Sequence, residues 1–589
     1  MNWKRPLALS TAALTLGTAL AACGNPTAAA PDPTPTPAAE VQSLSTTGST
    51  VKAPKYVFLF IGDGMSYPQI QSTSDFLGAL NDADYRQAQP SLDDNGGAIL
   101  DGPEYLNFMN FEAAGSAVTY DSNSFAPDSA STATSISTGY KTYSGSINVD
   151  ETGTISYETI AEQLHAQKGY SVGVITSVNL NHATPAAFYA HQASRNDYYD
   201  IGLELIDSGF EYFAGGGLLK PTGAEGDQAD LYALAEKAGY HVVKTQAEAE
   251  QVTGGPVVII DEHLADSDAM AYEIDRTDDM WALADYVEKG IEVLSQDKDG
   301  FFMMCEGGKI DWACHANDAA STIHDTQALA DAVQVAIDFA KEHADETLIL
   351  VTGDHETGGL TIGFAGTDYD TYLDLLESQK ISYAKFDSDY VSRYKEDKTS
   401  FEDVLKDVEA LFGLKPQGEE GDKLVLTDYE LEQLRAAYEK SVNGTAASQY
   451  EQEEYVLYGT YEPLSVTLTH IINNKSGISF TSYSHTGLPV AVLAHGVNAG
   501  QFNGYYDNTQ IYHKLAIKAT GPQTFDVAYA VGFSNPKYFT KCFKEEFGVT
   551  PTEYQADGVG RPHPPRLYGS GKAGGRLCRA CRPACDRSE

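Results

Sequence analysis

The chain has 589 residues, of which 42% are hydrophobic and 11% aromatic, so it is too apolar and too aromatic to remain disordered. Its 83 acidic residues outnumber its 39 basic residues and give a formal net charge of −44, which disfavours nucleic-acid binding as the main activity because such a surface repels phosphodiesters. The length allows either several domains or one large α/β domain with an insertion.

The N-terminal segment predicts export. Two basic residues at positions 4 and 5 precede an apolar run over residues 7–20, which suits a signal peptide but is shorter than the roughly 20 residues that cross a bilayer. The run leads into Ala-Ala-Cys23, which resembles a bacterial lipobox, so we predict a lipoprotein signal peptide over residues 1–22 and acylation of Cys23. Ordinary secretory cleavage is the alternative. Residues 23–52 are rich in Pro, Thr and Ala and predict an extended tether that holds the protein at a bacterial membrane, on the cell surface or in the periplasm.

Five short apolar runs predict strands that are buried on both faces. They cover residues 56–61, 171–176, 257–260, 301–305 and 348–351, and helical stretches lie between them. Continuous rather than alternating hydrophobicity is typical of a parallel sheet covered by helices. The predicted fold class is therefore α/β, a three-layer αβα sandwich with a central, mostly parallel sheet. No later stretch reaches 18 uncharged apolar residues, so we expect no spanning helix.

The composition changes between about residues 365 and 479. This stretch carries acidic, Tyr-rich helical segments, such as residues 427–434. We interpret it as an inserted acidic cap or crown that covers one side of the sheet.

Acidic and histidine side chains fall at the ends of the predicted strands. Asp63, Glu306 and Asp354 each follow such a run, and ligands of open α/β sheets collect at the carboxyl ends of strands. Asp311 and His315 are four residues apart, a spacing that places both on one face of a helix and is common among metal ligands. Taken singly, these residues are equally explained by turns, caps or a solvated helix start. Together they supply the oxygen and nitrogen ligands that suit two Zn²⁺ and one Mg²⁺, and without cations so many carboxylates in one cleft would repel one another.

Residues 127–134 are rich in small side chains and contain a second candidate, Ser129. A serine at a helix N-terminus benefits from backbone N–H groups that also favour a phosphate. Its hydroxyl is a poor nucleophile unless a base or a metal helps remove the proton. Considered alone, Ser129 is equally explained as a helix cap.

Seven motifs then occur in the order in which the alkaline phosphatase family carries them. They are residues 61–65 (IGDGM), 127–130 (PDSA), 182–187 (HATPAA), 194–195 (SR), 306–311 (EGGKID), 352–355 (TGDH) and 484–487 (SHTG). The chain resembles that family over most of its length, and we expect the phosphatase domain to span residues 53–518. The resemblance implies hydrolysis of small phosphomonoesters through a phosphoserine on Ser129, with Arg195 binding the phosphate, in a homodimer.

The resemblance also implies a set of metal ligands. The first zinc ion would be held by Asp311, His315 and His485; the second by Asp63, Asp354, His355 and Ser129; the magnesium ion by Asp63, Thr184 and Glu306, with His182 nearby. His182 and Trp312 stand where the best-known bacterial member has Asp and Lys, which leaves the identity of the third metal open. His191, His324 and His495 have no role in the pattern and are expected to be structural.

The C-terminus departs from this pattern. Residues 527–551 resemble the second helix-turn-helix of an AraC-type regulator, so we predict a helix-turn-helix-like segment over 519–555 and a basic, disordered, cysteine-containing tail over 556–589. We interpret everything after about Lys518 as a fusion or reading-frame artefact. Earlier in the chain, Cys305 and Cys314 either form a disulfide or remain buried thiols.

The sequence leaves two alternative functions open. The first is a phosphodiesterase or sulfatase of the same superfamily, although the modified-cysteine signature of sulfatases is absent. The second is a membrane-tethered DNA-binding regulator, which depends on the C-terminal segment alone. We expect no nucleic-acid partner.

Overall fold

A computed structural model describes residues 53–82, 100–444 and 451–519, together with Thr540, Lys541, Phe543 and Lys544. The predicted signal peptide, Cys23, the tether, the tail and most of the helix-turn-helix-like segment lie outside the described residues. No helix within the described part of the chain is long and apolar enough to span a membrane.

Fourteen strands occur among the described residues. They are β1 (Tyr56–Gly62), β2 (Ala113–Val118), β3 (Ser171–Asn179), β4 (Tyr212–Gly216), β5 (His241–Val243), β6 (Val257–Ile260), β7 (Phe301–Gly307), β8 (Thr347–Gly353), β9 (Glu356–Thr357), β10 (Thr361–Ile362), β11 (Ile478–Ser479), β12 (His485–Thr486), β13 (Val490–Gly496) and β14 (Gly504–Asp507). Ten of them form one sheet in the order β14-β2-β13-β8-β1-β7-β3-β4-β6-β5. Every pairing in it is parallel except the two that β13 makes, with β2 and β8. The prediction of a mostly parallel central sheet is confirmed.

Seventeen α-helices accompany the strands in the described part of the chain. They are α1 (Tyr67–Asn81), α2 (Ser129–Thr138), α3 (Ile160–Lys168), α4 (Ala183–Ala186), α5 (Tyr198–Asp207), α6 (Leu231–Ala238), α7 (Gln246–Ala249), α8 (Leu283–Leu294), α9 (Lys309–His315), α10 (Ala319–Glu342), α11 (Tyr383–Phe386), α12 (Ser392–Asp397), α13 (Phe401–Phe412), α14 (Asp428–Ser441), α15 (Glu451–Tyr458), α16 (Pro463–Ser476) and α17 (Thr509–Ala519).

Helices cover both faces of the sheet. On one face, the side chains of Val57 and Leu59 in β1 belong to an apolar cluster with residues of α2, α3, α5 and α17. On the other face, Phe58 and Phe60 belong to a cluster with residues of α8 and α10. Because successive side chains of a strand point to opposite faces, both sets must be apolar, which explains the continuous hydrophobic run in β1.

The acidic segment predicted as an insertion has an apolar cluster of its own. Phe386, Val404, Phe412 and Leu468 are buried in it, and residues of α1 and α10 join the same cluster, including Ile323. The two ends of the segment meet where β10 and β11 pair antiparallel. The described residues of the segment add no strand to the ten-stranded sheet.

Candidate active site

Three adjacent strands bring the predicted carboxylates together. The sheet order places β8, β1 and β7 side by side, and Asp63 and Asp354 follow directly after β1 and β8. Glu306 is the last residue but one of β7, where it pairs in register with Ile61. Because neighbouring parallel strands end at the same edge, Asp63 shares one site with Glu306 and Asp354, which lie about 240 and about 290 positions later in the chain.

The first group of possible metal ligands consists of Asp63, Asp354 and His355, all fully buried or nearly so. The Nε2 atom of His355 lies 3.2 Å from Asp63 Oδ1 and 3.3 Å from Asp354 Oδ2. The other carboxylate oxygen of Asp354 accepts hydrogen bonds from the backbone N–H groups of Gly64 and of His355. This oxygen is therefore fixed by the backbone, while Oδ2 faces the imidazole.

Ser129 adjoins this group at the first residue of α2. Its Oγ atom lies 3.1 Å from His355 Nε2 and 3.5 Å from Asp63 Oδ1, and the residue is 2% exposed. The helix begins here because Asp128 caps it by accepting a hydrogen bond from the N–H group of Ser131. The hydroxyl thus lies both at the positive end of a helix and against the ligand group.

A second group consists of Asp311, His315 and His485. The first two lie one turn apart on α9, and the Nε2 atom of His315 is 3.3 Å from Asp311 Oδ2 and 3.1 Å from Nε2 of His485. In both histidines Nδ1 contacts a backbone carbonyl oxygen, that of Tyr483 at 2.6 Å or of Pro127 at 2.5 Å. A carbonyl only accepts, so Nδ1 of each ring carries a proton, and Nε2 is the nitrogen that faces the site, as in metal-bound histidines.

The two groups are contiguous. The rings of His355 and His485 stack with centroids 3.7 Å apart. Ligand atoms of Asp311, His355 and His485 lie within 4.8 Å of one another, as do those of Asp63, Asp354 and His355, so His355 belongs to both sets. The site therefore contains two overlapping groups of side chains that could each hold a metal ion.

The remaining predicted metal ligands lie on the far side of Asp63. Thr184 Oγ1 is 3.4 Å from Asp63 Oδ2. Thr176, in β3, donates a hydrogen bond to Glu306 Oε2, whereas Glu306 Oε1 is buried without a partner among the described residues. No sequence signal marks Thr176, because it resembles an ordinary interior residue of an apolar strand.

His182 lies beside Arg195 rather than in the carboxylate group. Its Nε2 atom is 3.4 Å from the Arg195 guanidinium, and its Nδ1 atom is buried with no partner in the described part of the chain. Burial, and then the charge of Arg195, lower the pKa of His182 to about 3. Arg195 is itself held by Asp128, whose Oδ2 accepts from Nη1 at 2.9 Å.

The buried carboxylates fit cations on electrostatic grounds. Burial, followed by the charges of Asp354 and Asp311, raises the pKa of Asp63 well above its ordinary value. Burial and then Asp311 raise the pKa of Asp354 to about 8, and burial raises the pKa of Glu306 to about 7. Such groups resist ionisation unless a positive charge lies next to them, and their oxygens together with imidazole nitrogens are the ligands that Zn²⁺ and Mg²⁺ use.

A pocket of about 380 Å³ opens onto these groups. Ser129, His182 and Arg195 line it, and so do the aromatic residues Trp312, Tyr383 and Tyr461. An anion bound between Ser129 and Arg195 would contact both. The pocket is thus suited to an anion such as a phosphate group.

The three histidines that the motifs left unassigned do not line this pocket. His191 lies between Glu162 and Glu204, at 3.4 and 3.2 Å, and these contacts outweigh burial and raise its pKa to about 10. His495 contacts Glu112 at 2.6 Å, and the ring of His324 packs edge-on against Phe76. Cys305 and Cys314 are buried free thiols, so no disulfide joins them.

The chain is similar to known phosphatases. The family model described as alkaline phosphatase matches residues 54–520, and that of the AraC family of bacterial regulatory helix-turn-helix proteins matches residues 525–556. Alkaline phosphatase 3 of Bacillus subtilis (strain 168) is 30% identical over 465 residues, which cover 78% of this chain and 87% of that protein. Alkaline phosphatase of Escherichia coli (strain K12) is 28% identical over 350 residues, 52% of this chain and 70% of that protein.

Two solved structures extend the comparison. The crystal structure of a cold-active alkaline phosphatase from the psychrophile Shewanella sp. aligns with a TM-score of 0.62 and 28% identity, covering 80% of this chain and 100% of that chain. Alkaline phosphatase of Thermus thermophilus aligns with a TM-score of 0.63 and 24% identity, covering 81% and 95%, and at that identity supports the fold alone.

Proposed function

Because this chain belongs to the alkaline phosphatase family, we propose that it hydrolyses phosphate monoesters through a phosphoserine intermediate on Ser129, with two zinc ions and one magnesium ion. It is a phosphatase that binds metal. The observation that carries the proposed mechanism is the position of Ser129 Oγ, which lies at the N-terminus of α2 and 3.1 Å from His355 Nε2.

The metal ligands in this proposal are those that the family motifs predict. One zinc ion would be held by Asp311, His315 and His485; the other by Asp63, Asp354, His355 and Ser129; the magnesium ion by Asp63, Thr184 and Glu306, with His182 near it. When bound, two adjacent zinc ions stabilise the negative charge on the attacking and leaving oxygens. The raised pKa values of Asp63, Asp354 and Glu306 support this assignment, since nearby cations offset both the burial and the repulsion between carboxylates that raise them.

The chain's own groups orient the reaction. Ser129 Oγ loses its proton and forms a bond to phosphorus, while the bond between phosphorus and the ester oxygen breaks on the opposite side and the ester oxygen takes up a proton to leave as the alcohol. Water then attacks the phosphoserine, which releases inorganic phosphate and restores the hydroxyl. The N–H groups at the start of α2 favour the negative charge of the phosphoryl group throughout.

Arg195 binds the phosphoryl oxygens in this scheme. Its side chain is directed by the contact of Nη1 with Asp128 at 2.9 Å. Its remaining N–H groups are available for two non-bridging oxygens, which a planar guanidinium fork matches better than an ammonium group. Asp128 therefore both caps α2 and orients the arginine.

The test is phosphate release from a chromogenic phosphomonoester at pH 9 by the metal-loaded protein, with and without chelator. We expect Ser129→Ala to lose more than about 10³-fold in kcat. Ser135→Ala, on the same helix, is the matched control, because the Ser135 hydroxyl only donates to the backbone oxygen of Ser131. Acid quenching followed by mass spectrometry should find phosphate on Ser129. Full activity of a metal-loaded Ser129→Ala protein would refute the mechanism, and faster cleavage of a diester than of a monoester would favour the phosphodiesterase alternative.

We also propose export with a lipid on Cys23, supported by the signal-peptide pattern of residues 1–22. Labelling with a fatty acid that Cys23→Ser abolishes would be the supporting result. The domain boundaries at 53 and 518, and the interpretation of the C-terminal region as an artefact, likewise remain proposals. Intact mass spectrometry that finds residues 520–589 in the native protein would refute that interpretation. Sedimentation with DNA at low salt tests the regulator alternative, and the net charge of −44 predicts no binding.

A homodimer is the last part of the proposal. An apolar groove of about 600 Å³ lies between α1 and β13, lined among others by Tyr67, Met109, Leu488 and Leu493. Tyr67 and Leu488 are 45% and 42% exposed, and exposed apolar surface of this kind is typical of interaction sites. Light scattering should give twice the chain mass, and Leu488→Glu should shift the protein toward the monomer.

A further inference from the structure

Three aromatic side chains line the pocket in addition to Ser129, His182 and Arg195, which we call the phosphate end. Trp312 comes from α9, directly after Asp311, whereas Tyr383 and Tyr461 come from the acidic insertion. We call these three residues the aromatic wall. None of them belongs to the ligand groups or to the phosphate-binding pair, so the proposed mechanism leaves the aromatic wall without a role.

The aromatic wall is held in place by its surroundings. The rings of Tyr383 and Tyr461 meet edge to face, with centroids 5.6 Å apart. The Tyr383 hydroxyl accepts a hydrogen bond of 3.2 Å from the fully buried Tyr272. The Lys309 ammonium lies 4.5 Å from the centroid of the Trp312 ring. A ring that binds against such a surface orders few side chains, so little affinity is lost to entropy.

One member of the aromatic wall lies beside the second ligand group. Ser129 adjoins the first ligand group, whereas the ring of Tyr461 lies 6.3 Å from that of Tyr483, whose backbone oxygen contacts Nδ1 of His315 at 2.6 Å. The ring of Trp312 lies 6.0 Å from that of His182, so the wall extends from the second ligand group to the residues around Arg195. In a direct displacement at phosphorus, the attacking and leaving oxygens are roughly in line. A leaving group opposite Ser129 therefore emerges past the second ligand group and meets the aromatic wall.

The charges in the pocket restrict what that leaving group can be. Among the described residues that line the pocket, Arg195 is the only lysine or arginine, and it lies at the phosphate end. Near the aromatic wall the carboxylate of Asp266, which is 32% exposed, contacts the ammonium of Lys309 at 2.6 Å, and Lys309 is fully buried and does not line the pocket. An anionic leaving group would therefore meet the Asp266 carboxylate rather than the ammonium, whereas a neutral one with hydroxyl groups could donate to that carboxylate.

We propose that Trp312, Tyr383 and Tyr461 form a leaving-group subsite that selects phosphomonoesters carrying a flat, uncharged ring, with nucleoside monophosphates as the substrate class. Bases stack on aromatic side chains through their faces, which suits this wall, and a ribose would bring hydroxyl groups toward Asp266. The subsite rests on the proposed phosphomonoesterase function and adds selectivity to it.

The test compares AMP with ribose 5-phosphate on the full-length, metal-loaded protein. Hydrolysis of either ester breaks the bond between phosphorus and the oxygen of a primary alcohol, so the two leaving groups have similar reactivity. The two substrates differ mainly in the base, which only AMP carries. We expect kcat/KM for AMP to exceed that for ribose 5-phosphate by about tenfold or more, mainly through a lower KM. Tyr461→Leu should bring this ratio to within about twofold of one, whereas Tyr461→Phe, which keeps the ring, should retain it.

Tyr429→Leu is the matched control, because Tyr429 is 69% exposed on α14 of the same insertion and does not line the pocket. It should preserve the ratio. Two results would refute the proposed subsite without refuting the proposed phosphatase activity. One is release of phosphate from both esters with equal kcat/KM, and the other is an unchanged ratio of the two kcat/KM values in a folded Tyr461→Leu protein. Release of phosphate from neither ester would overturn the proposed function itself.

Discussion

Glu356 offers the sharpest test of how the fold holds the ligand groups. Its carboxylate is fully buried between His355 and the strand that carries His485. Oε1 accepts from Gln69 Nε2 at 2.8 Å and from the N–H group of Leu360 at 3.2 Å, while Oε2 accepts from the N–H group of Gly359 at 3.2 Å and from the Thr486 hydroxyl. All four partners are donors, so the site requires an acceptor at both oxygens.

Glu356→Gln preserves the size of the side chain and removes one acceptor. Gln69 cannot turn its amide to compensate, since its oxygen already accepts from the N–H group of Ser66. The new NH₂ group must therefore face Gly359 and Thr486. The threonine hydroxyl can rotate to accept, but the backbone N–H group cannot. One unsatisfied buried donor costs about 1–3 kcal/mol, and the loss of charge in the remaining bonds adds about 1 kcal/mol, so we expect about 2–4 kcal/mol of destabilisation.

Two measurements check this expectation. Urea unfolding of the chelator-treated protein gives the change in stability, and competition with a chelating dye gives zinc affinity. The affinity should fall about 10- to 100-fold, as for other groups that orient metal ligands. Glu402→Gln is the control, because that side chain is 74% exposed and its basic neighbour is 3.9 Å away. A Glu356→Gln protein with unchanged stability and zinc affinity would refute the reasoning.

Three further predictions concern pH, phosphate binding and thiols. The pKa of Asp354 is raised from 3.8 to about 8 in the native state, and that of Glu306 from 4.5 to about 7. Between these values the native state holds protons that the unfolded state has lost, so in chelator the melting temperature should fall as the pH rises through this range. Metal-loaded protein should show a flatter profile in the same calorimetric scan, and a flat profile in chelator would contradict the prediction. Arg195→Lys should lose at least about tenfold in kcat/KM for a chromogenic phosphomonoester, because Lys cannot bridge Asp128 and phosphate as a fork; steady-state kinetics checks this. Cys305 and Cys314 are free and buried, so peptide mapping after alkylation should find them modified only when the protein is unfolded.

The amino-acid sequence predicted the centre of the sheet but not its margins. The five apolar runs correspond to β1, β3, β6, β7 and β8, because a strand buried on both faces must be apolar throughout. The runs did not identify β2 and β14, since β2 alternates between buried and exposed residues and β14 is largely exposed. Such strands depend on pairing with a neighbour more than on their own composition.

In the candidate active site, too, the sequence predicted some residues, whereas others became evident only from the structure. The motifs predict Ser129 as the nucleophile and a set of metal ligands because catalysis and metal binding demand particular functional groups, which a sequence displays directly. In the structure Ser129 lies against His355, and the predicted ligands Asp63, Asp354 and His355 lie close together. The motifs could not identify Thr176, Thr132 or Glu356. Thr176 hydrogen-bonds to Glu306, 130 residues away in the chain, and Thr132 to Asp354, 222 residues away. Glu356 hydrogen-bonds to Thr486, 130 residues away. Threonine and glutamate are common everywhere, and their role here arises only because the sheet order sets distant segments side by side. The chain by itself determined which chemical groups are present; the tertiary structure decided which of them meet, because contacts over such separations depend on strand order and register rather than on local pattern.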